Sequence, residues 1–316
     1  MSDLGHVLVL AGGLSYEREV SLRSGRRVGE VLRGAGVSVE TRDTDASLVP
    51  WILSERPSAV FVTLHGGAGE DGAIRSVLDL LSVPYVGAGS DACRIAFDKP
   101  TAKTVVRSVG VRTPESVTLP KETFHDLGAS AVLARIVERL GLPLFVKPSR
   151  GGSALGASIV RTAEDLPSAM VGCFAYGDTA LIECYIEGVE VAVSVVDLGE
   201  GPVALPPVEI VPDDGVYDYA ARYTAGRTEF FAPARLSAET AAACAEMAVT
   251  AHTALGLRDI SRTDLIVGAD GLPHFLEVNV APGMTETSLL PMAAEAAGED
   301  LGSLCRVLLE QAAMRG

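Results

Sequence analysis

Short apolar runs alternate with segments of helical periodicity along the first ninety residues. The runs at residues 6–10 and 59–64 are continuous, which is typical of parallel strands that are covered on both faces. Each run ends in a glycine-rich turn, and apolar positions at fourfold spacing follow the first turn, as in a helix. Strands and helices in alternation predict an α/β domain over residues 1–89.

The pattern changes near residue 90, and we expect two more units. Residues 90–186 combine several helical patterns with a strand at residues 143–147 and a glycine-and-serine loop after it. Residues 187–316 combine apolar strands with a long alanine-rich helix, for which Ser237 is a suitable N-cap. The expected fold class is therefore α/β, with α+β organisation in the second and third units.

The strongest local signal is a predicted β-hairpin in the last third of the chain. Asp270 and Gly271 join two alternating apolar runs, and Asp-Gly is a preferred two-residue hairpin turn. Strand pairing across that turn, with side chains two apart on one face, predicts a convergence of polar groups. The converging side chains are Arg262, Asp264, Glu277 and Asn279. Two carboxylates and a carboxamide suit magnesium, and a guanidinium beside them suits a phosphate in transfer.

Two alternatives to this predicted metal site stay open. In the first, the carboxylates of Asp264 and Glu277 are solvated and Arg262 pairs with one of them. Directly opposed carboxylates repel each other without a cation, which favours the metal. In the second, Pro273 beside the turn forces a longer loop and changes the register.

A loop rich in glycine and serine, at residues 149–156, follows the predicted strand that ends at Lys147. Glycines let a backbone approach phosphate oxygens, which hydroxyl and N–H groups then bind. The loop is not a Walker A loop, because its lysine precedes the glycines. Taken alone, an ordinary turn explains the loop equally well, and a surface position explains the isolated Lys99.

Composition limits the classes of protein that fit. The 316 residues are 48% hydrophobic, enough for two or three domains with sizeable cores. The net charge of −15, from 41 acidic and 26 basic residues, argues against nucleic acid and anionic membranes as partners. No apolar run approaches the ~20 residues that span a bilayer, and the first residues lack the basic start of a signal peptide. Five cysteines without a CxxC pair indicate free thiols, so we expect a cytoplasmic protein.

Several individually modest motifs occur in a specific order along the chain. They are residues 12–22 (GGLSYEREVSL), residues 65–72 (HGGAGEDG), Asp98-Lys99, residues 147–156, residues 183–190, Tyr217-Asp218-Tyr219 with Tyr223, residues 261–264 (SRTD) and residues 277–288. Together they resemble the D-alanine–D-alanine ligases of the ATP-grasp superfamily over essentially the whole chain. The resemblance implies an ATP-grasp fold with an N-terminal Rossmann-like domain. It also implies an ATP-dependent ligase that joins two D-alanines through an acyl phosphate for peptidoglycan synthesis.

The resemblance implies the residues that bind ATP and metal. Those implied at the ATP phosphates are Lys99, Lys147 and the loop that carries Ser153. Those implied at adenine and ribose are Glu183 and Glu190, with the backbone near Tyr185 and Ile186. Those implied as ligands of two magnesium ions, or of manganese, are Asp264, Glu277 and Asn279.

The resemblance also implies contacts with the two amino acids. Glu19 holds the first ammonium group and His65 lies near the same substrate, whereas Ser288 holds the second carboxylate. Arg262 and the N–H group of Gly283 stabilise the oxyanion. D-alanine is the expected small-molecule partner, and the family is also the basis for expecting a homodimer.

A second implied feature is a latch that closes the site. Glu19, Ser153 and Tyr223 are expected to be hydrogen-bonded, which would close the tyrosine-rich loop and exclude water from the acyl phosphate.

Four positions depart from the family pattern. They are Ala154, where a second serine is usual, Val216, where an aromatic residue usually packs on adenine, Arg222, where lysine is usual, and Val280, where threonine is usual. They leave open a paralogous ligase of a specialised pathway with a different amino acid. A non-catalytic nucleotide-binding protein is a further alternative, but it predicts damage to the metal set or the phosphate lysines, and all are present. A Rossmann-type oxidoreductase is rejected because GxGxxG is absent after the first strand.

The resemblance also implies that Tyr223 favours an amine over a hydroxy acid as the second substrate, because relatives that use lactate usually change this residue. We expect Tyr223→Phe to relax the exclusion of hydroxy acids, because the hydroxyl closes the implied latch. Product formation from D-alanine with either D-alanine or D-lactate measures this. Unchanged selectivity and rate would mean that the latch is misassigned.

Overall fold

The computed structural model describes residues 4–213 and 226–316, and the strands in these ranges form three sheets. Tyr223, the predicted latch residue, lies outside the described residues, as do Val216 and Arg222. The latch therefore stays a prediction.

The first sheet is parallel, as expected from the continuous apolar runs. Its strands are β1 (His6–Leu10), β2 (Ser38–Arg42), β3 (Val60–Val62) and β4 (Tyr85–Val86), in the order β2-β1-β3-β4. Its helices are α1 (Arg18–Gly34), α2 (Leu48–Glu55) and α3 (Ala73–Leu80). The central strands β1 and β3 are almost fully buried, which explains why their sequences do not alternate.

Two helices, α4 (Ser90–Phe97) and α5 (Lys99–Ser108), precede the second sheet, which is antiparallel. Its strands are β5 (Ser116–Pro120), β6 (Leu144–Pro148), β7 (Ser158–Val160) and β8 (Thr179–Cys184), in the order β5-β8-β6-β7. The helices that share a core with it are α6 (Lys121–Leu127), α7 (Ala129–Leu140) and α8 (Leu166–Phe174).

The third sheet is also antiparallel and carries the predicted hairpin. Its strands are β9 (Gly188–Asp197), β10 (Pro202–Ala204), β11 (Val208–Pro212), β12 (Thr228–Phe231), β13 (Ile260–Gly268) and β14 (Pro273–Asn279). The order is β12-β11-β9-β13-β14, and β10 pairs with the C-terminal end of β9. The remaining described helices are α9 (Ala238–Ala254), α10 (Leu289–Ala296) and α11 (Leu301–Ala313). Within the two described ranges, no helix is both long and apolar enough to cross a bilayer.

Packing joins the three sheets more closely than the linear division suggests. Each sheet lies within one predicted unit, but buried side chains of α4 and α5, such as Cys93 and Val106, share a core with Val193 and Phe275 of the third sheet. Helix α1 of the first unit packs against α11 of the third. The predicted boundaries after residues 89 and 186 therefore stay a prediction.

The pairing of β13 with β14 is as predicted where the polar side chains lie. Arg262 is opposite Asn279, and Asp264 is opposite Glu277. All four are partly or fully buried, and residues two apart on each strand share a face.

The turn of this hairpin is longer than predicted. The N–H group of Gly268 donates to the carbonyl of Leu272, which leaves residues 269–271 in the loop instead of Asp270-Gly271 alone. A bulge compensates: Asp264 pairs with Glu277 but the next residue, Leu265, pairs with Phe275. The extra residue in β14 restores the register that a two-residue turn would have given.

Candidate functional site

Two cavities lie between the sheets, each of about 390 Å³, which suits a small-molecule ligand. The first lies between the second and third sheets, and the second between the first and third. Their linings have four residues in common: Lys99, Gly151, Gly152 and Glu277. The two cavities therefore meet at a junction that carries a cation, a carboxylate and a glycine loop.

Apolar side chains from both sheets line the first cavity. Phe145 and Ile159 come from the second sheet, and Ile266 and Leu276 from the third. An apolar slot of this kind suits a flat aromatic group such as a nucleotide base. Eight of the residues predicted for ATP or metal also line it: Lys99, Lys147, Glu183, Tyr185, Ile186, Glu190, Asp264 and Glu277.

Two lysines hold the buried carboxylate of Glu183 inside this cavity. Its Oε2 lies 2.9 Å from the Nζ of Lys147, and its Oε1 contacts the Nζ of Lys103. Burial alone would raise the pKa of Glu183, but Lys147 and Lys103 outweigh burial and lower it. Burial lowers the pKa of Lys103 to about 8, although Glu183 opposes the shift. Sequence reasoning missed Lys103; its signal is the i, i+4 spacing from Lys99, which puts both lysines on one face of α5.

Lys99 reaches the junction of the cavities. Its Nζ donates to the carbonyl of Gly151 at 2.6 Å and lies 3.4 Å from the Oε2 of Glu277. The helix that carries it is fixed at its N-terminus, because the side chain of Asp98 accepts a hydrogen bond from the N–H group of Thr101. Lys99 is therefore a buried cation between the glycine loop and the hairpin, not a surface residue.

The hairpin presents oxygen donors beside a guanidinium. Arg262 donates from Nε and Nη2 to the two carboxylate oxygens of Asp264, at 2.7 and 2.9 Å. The carboxylates of Asp264 and Glu277 and the carboxamide of Asn279 are hard donors of the kind that magnesium prefers. No cluster of three or more His, Cys, Asp or Glu side chains suited to a metal occurs within residues 4–213 and 226–316.

The second cavity is more polar and gathers the residues predicted for the amino acids. Four residues predicted for the amino acids line it: His65, Arg262, Gly283 and Ser288. Ser153, predicted for the phosphate loop and the latch, and Asn279, predicted for the metal, line it too. Gly283 lies so close to Ser288 that a Cβ at position 283 would be 2.6 Å from the Ser288 Oγ. A larger residue would therefore have to displace the Ser288 hydroxyl.

The prediction for Glu19 is wrong, because Glu17 occupies the position expected of it. The hydroxyl of Ser153 donates to Glu17, and Glu17 lines the second cavity, whereas Glu19 is exposed on the first turn of α1. At 3.6 residues per turn, side chains two apart on a helix point about 200° apart, so the two carboxylates face opposite ways. Glu17 is also enclosed by glycines: a Cβ on Gly152 would be 2.9 Å from its Oε2.

A second carboxylate in this cavity was also missed. Glu70, in the HGGAGEDG motif, lines the second cavity and its Oε1 lies 4.0 Å from the Nδ1 of His65. Burial, reinforced by the charge of Glu17, raises the pKa of Glu70 to about 7. The motif itself was recognised, so its acidic residue was the available signal.

Comparisons with known proteins agree with this architecture. Residues 105–310 match the family model described as "D-ala D-ala ligase C-terminus". The D-alanine–D-alanine ligase of Anaeromyxobacter sp. (strain K) is 39% identical over 309 residues, covering 98% of this chain and 97% of the relative. That of Pelotomaculum thermopropionicum is 40% identical, covering 96% and 95%.

Two solved structures are also similar. One is the VanG D-Ala:D-Ser ligase from Enterococcus faecalis, with a TM-score of 0.83, 27% identity and coverage of 96% of this chain and 98% of that chain. The other is a D-alanine–D-alanine ligase from Bacillus anthracis complexed with ATP, with a TM-score of 0.82, 29% identity and coverage of 99% and 98%. The chain therefore has the ATP-grasp fold, in which two antiparallel sheets enclose an apolar cleft beside a third, α/β unit. Within that superfamily, the chain belongs to the D-alanine–D-alanine ligase family.

The position of Glu17 generates a test with a matched control. We expect Glu17→Gln to lower turnover by about 100-fold, because it removes the charge in the cavity, while Glu19→Gln leaves turnover unchanged. Steady-state rates with D-alanine and ATP measure both. Equal losses in the two variants, or a loss confined to Glu19→Gln, would contradict the assignment.

The pKa of Glu70 generates a pH-dependence of stability. The pKa of Glu70 is raised to about 7 in the folded protein, so folding favours the protonated carboxyl. The stabilisation by this protonated group is complete below about pH 4.5 and is lost as the pH rises through 7. The loss is roughly 3 kcal/mol of unfolding free energy.

We therefore expect Glu70→Gln to gain stability over the unaltered protein as the pH rises from 5 to 8, and the exposed Glu19→Gln to show no such trend. Urea unfolding at both pH values measures the difference. A parallel pH-dependence in Glu70→Gln and the unaltered protein would contradict the assignment.

Proposed function

We propose that this protein joins two molecules of D-alanine into D-alanyl-D-alanine for peptidoglycan synthesis, with ATP as the source of energy. The γ-phosphoryl group moves to the carboxylate of the first D-alanine, giving ADP and an acyl phosphate. The amine of the second D-alanine attacks the acyl carbon, loses a proton and expels inorganic phosphate. The observation that carries the proposal is the common wall of the two cavities, where a phosphoryl group can pass from a nucleotide to a carboxylate.

The first cavity would hold ATP. Its apolar slot suits adenine, and Glu190 at the edge of the slot suits the ribose hydroxyls. Glu183 lies deeper, fixed by Lys103 and Lys147, where its carboxylate can accept from the adenine amino group. Lys99 lies at the junction and Lys147 lines the first cavity, and both are buried cations, so we assign them to the phosphates.

Asp264, Glu277 and Asn279 would hold divalent metal, with magnesium as the expected ion and manganese as an alternative. Their oxygen donors fit a hard cation, and Lys99 and Arg262 pair with the carboxylates of Glu277 and Asp264. The chemistry that such ions supply is neutralisation of charge on the phosphate oxygens.

The second cavity would hold the two amino acids. Glu17 suits the ammonium group of the first, and His65 lies beside it. Arg262 and Gly283 line this cavity, and we assign the guanidinium and the N–H group to the acyl oxygen that becomes negatively charged. Ser288 also lines this cavity, and we assign its hydroxyl to the second carboxylate; its Oγ accepts a hydrogen bond from the N–H group of Thr285 at 3.0 Å.

Ser153 would connect the phosphate loop to Glu17, the residue assigned to the ammonium group of the first amino acid. The hydroxyl of Ser153 donates to Glu17, and this contact supports a loop poised over the junction. A homodimer and a cytoplasmic location are further parts of the proposal, supported by family membership and tested by light scattering and by cell fractionation.

Phosphate release by purified protein with ATP and magnesium tests the function directly. Candidate substrates are D-alanine, L-alanine, D-serine and D-lactate, singly and in pairs, with products identified by mass. We expect release with D-alanine alone and D-alanyl-D-alanine as the product. D-serine is included because the VanG ligase is a structural relative; preferred formation of a mixed product would overturn the D-alanyl-D-alanine assignment.

The hairpin generates a test of the metal assignment. We expect Glu277→Gln to reduce phosphate release by more than about 100-fold while the fold is kept, because glutamine has the same shape without the charge. Glu246→Gln is the control, since Glu246 is exposed on α9 outside both cavities. Near-normal turnover of Glu277→Gln, with unchanged circular dichroism, would contradict the assignment of Glu277 as a metal ligand.

A further inference from the structure

The loop between β14 and α10 carries Gly283, and buried side chains of the first unit hold it on both sides of that residue. On one side, the carbonyl of Ala281 accepts a hydrogen bond from the Nδ1 of His65 at 2.9 Å. On the other, the N–H group of Met284 donates to the Oγ of Ser24 at 3.1 Å. Gly283 therefore lies between two fixed backbone groups.

Ser24 and His65 are also hydrogen-bonded to each other, which connects the two contacts with the loop. The Oγ of Ser24 lies 3.1 Å from the Nε2 of His65. A carbonyl only accepts, so the Nδ1 of His65 must carry a proton. In the neutral imidazole the Nε2 then accepts a hydrogen bond from the hydroxyl of Ser24. The oxygen of that hydroxyl accepts a hydrogen bond from the N–H group of Met284. This single arrangement satisfies the hydrogen-bonding groups of Ala281, His65, Ser24 and Met284, which together form a hydrogen-bond relay.

Burial supports the neutral form and a rigid relay. Ser24 is 0% exposed, Met284 1% and His65 5%. Burial lowers the pKa of His65, with Arg262 acting in the same direction and Glu17 opposing it. Next to Ser24, a Cβ on Gly25 would collide with the side chain of Ala11, so α1 lies directly against the segment after β1.

We propose that Ser24 and His65 are positioning residues that fix the Ala281–Met284 loop and aim the N–H group of Gly283 at the oxyanion of the reaction. The inference rests on the proposed function, because it presumes the role of Gly283. It assigns to Ser24 a part in the reaction although Ser24 does not line the cavity. It also gives His65 a task beyond lying near the first substrate.

Ser21 provides a matched control on the same helix. It is also 0% exposed, accepts a hydrogen bond from the N–H group of Gly12 at 2.8 Å and donates to the carbonyl of Thr63 at 2.9 Å. All of its partners belong to the first unit. Ser21→Ala and Ser24→Ala therefore remove the same group, with similar loss of buried hydrogen bonds, but only Ser24→Ala releases the Gly283 loop.

The experiment compares kcat, the KM for ATP and the midpoint of thermal unfolding in the two variants. We expect similar falls in the midpoint, a kcat lowered about 10- to 100-fold in Ser24→Ala alone, and a KM for ATP within about twofold of the unaltered protein in both. Equal kcat values in the two variants would reduce Ser24 to a structural role and overturn the inference. Inactivity of the unaltered protein with all amino acids would instead refute the proposed function.

A second variant keeps the inference testable if Ser24→Ala does not fold. In His65→Asn the side-chain N–H group can still donate to Ala281, but Ser24 loses its acceptor. We expect a kcat loss of about tenfold, and little further loss when Ser24→Ala is added, because the two residues form one relay. Losses that multiply fully in the double variant would contradict a joint action.

Discussion

The register of β13 against β14 is the constraint on which the site depends. It opposes Asp264 to Glu277 and puts Arg262 beside them, all on the face that both cavities reach. A one-residue slip would turn these charges into the core that the sheet forms with α4, α5 and α9. The free-energy cost of burying charges there is large, so the chemistry of the site and the stability of the sheet require the same pairing.

Charge pairing explains how so many ionised groups are buried in one region. Four carboxylates of the first cavity have a cation within reach: Lys103 and Lys147 for Glu183, Arg262 for Asp264, Lys99 for Glu277, and Arg235 for Glu209. Such pairs are costly to break one partner at a time. Ligands that carry both phosphate and metal can replace these partners without leaving a buried charge uncompensated.

The sequence predicted the parallel first sheet, the hairpin and the family because these depend on local patterns and motif order. The hairpin register was right although the turn was wrong, since the bulge after Asp264 offsets the longer loop. Glu19 was predicted in the place of Glu17 because only the residue at which α1 begins decides which carboxylate faces the cavity. Ser24 had no signal at all: an isolated serine on a helix reveals its partners, His65 and Met284, only through long-range packing.

The contact between Ser153 and Glu17 has a thermodynamic consequence. One residue belongs to the loop beside the nucleotide cavity and the other to the amino-acid cavity, yet they share a hydrogen bond. If nucleotide binding strengthens or weakens that bond, the affinity for the first amino acid changes, and linkage requires the reverse effect to have the same factor. Occupancy of the two cavities is then coupled through a single hydrogen bond, without any movement of a whole domain.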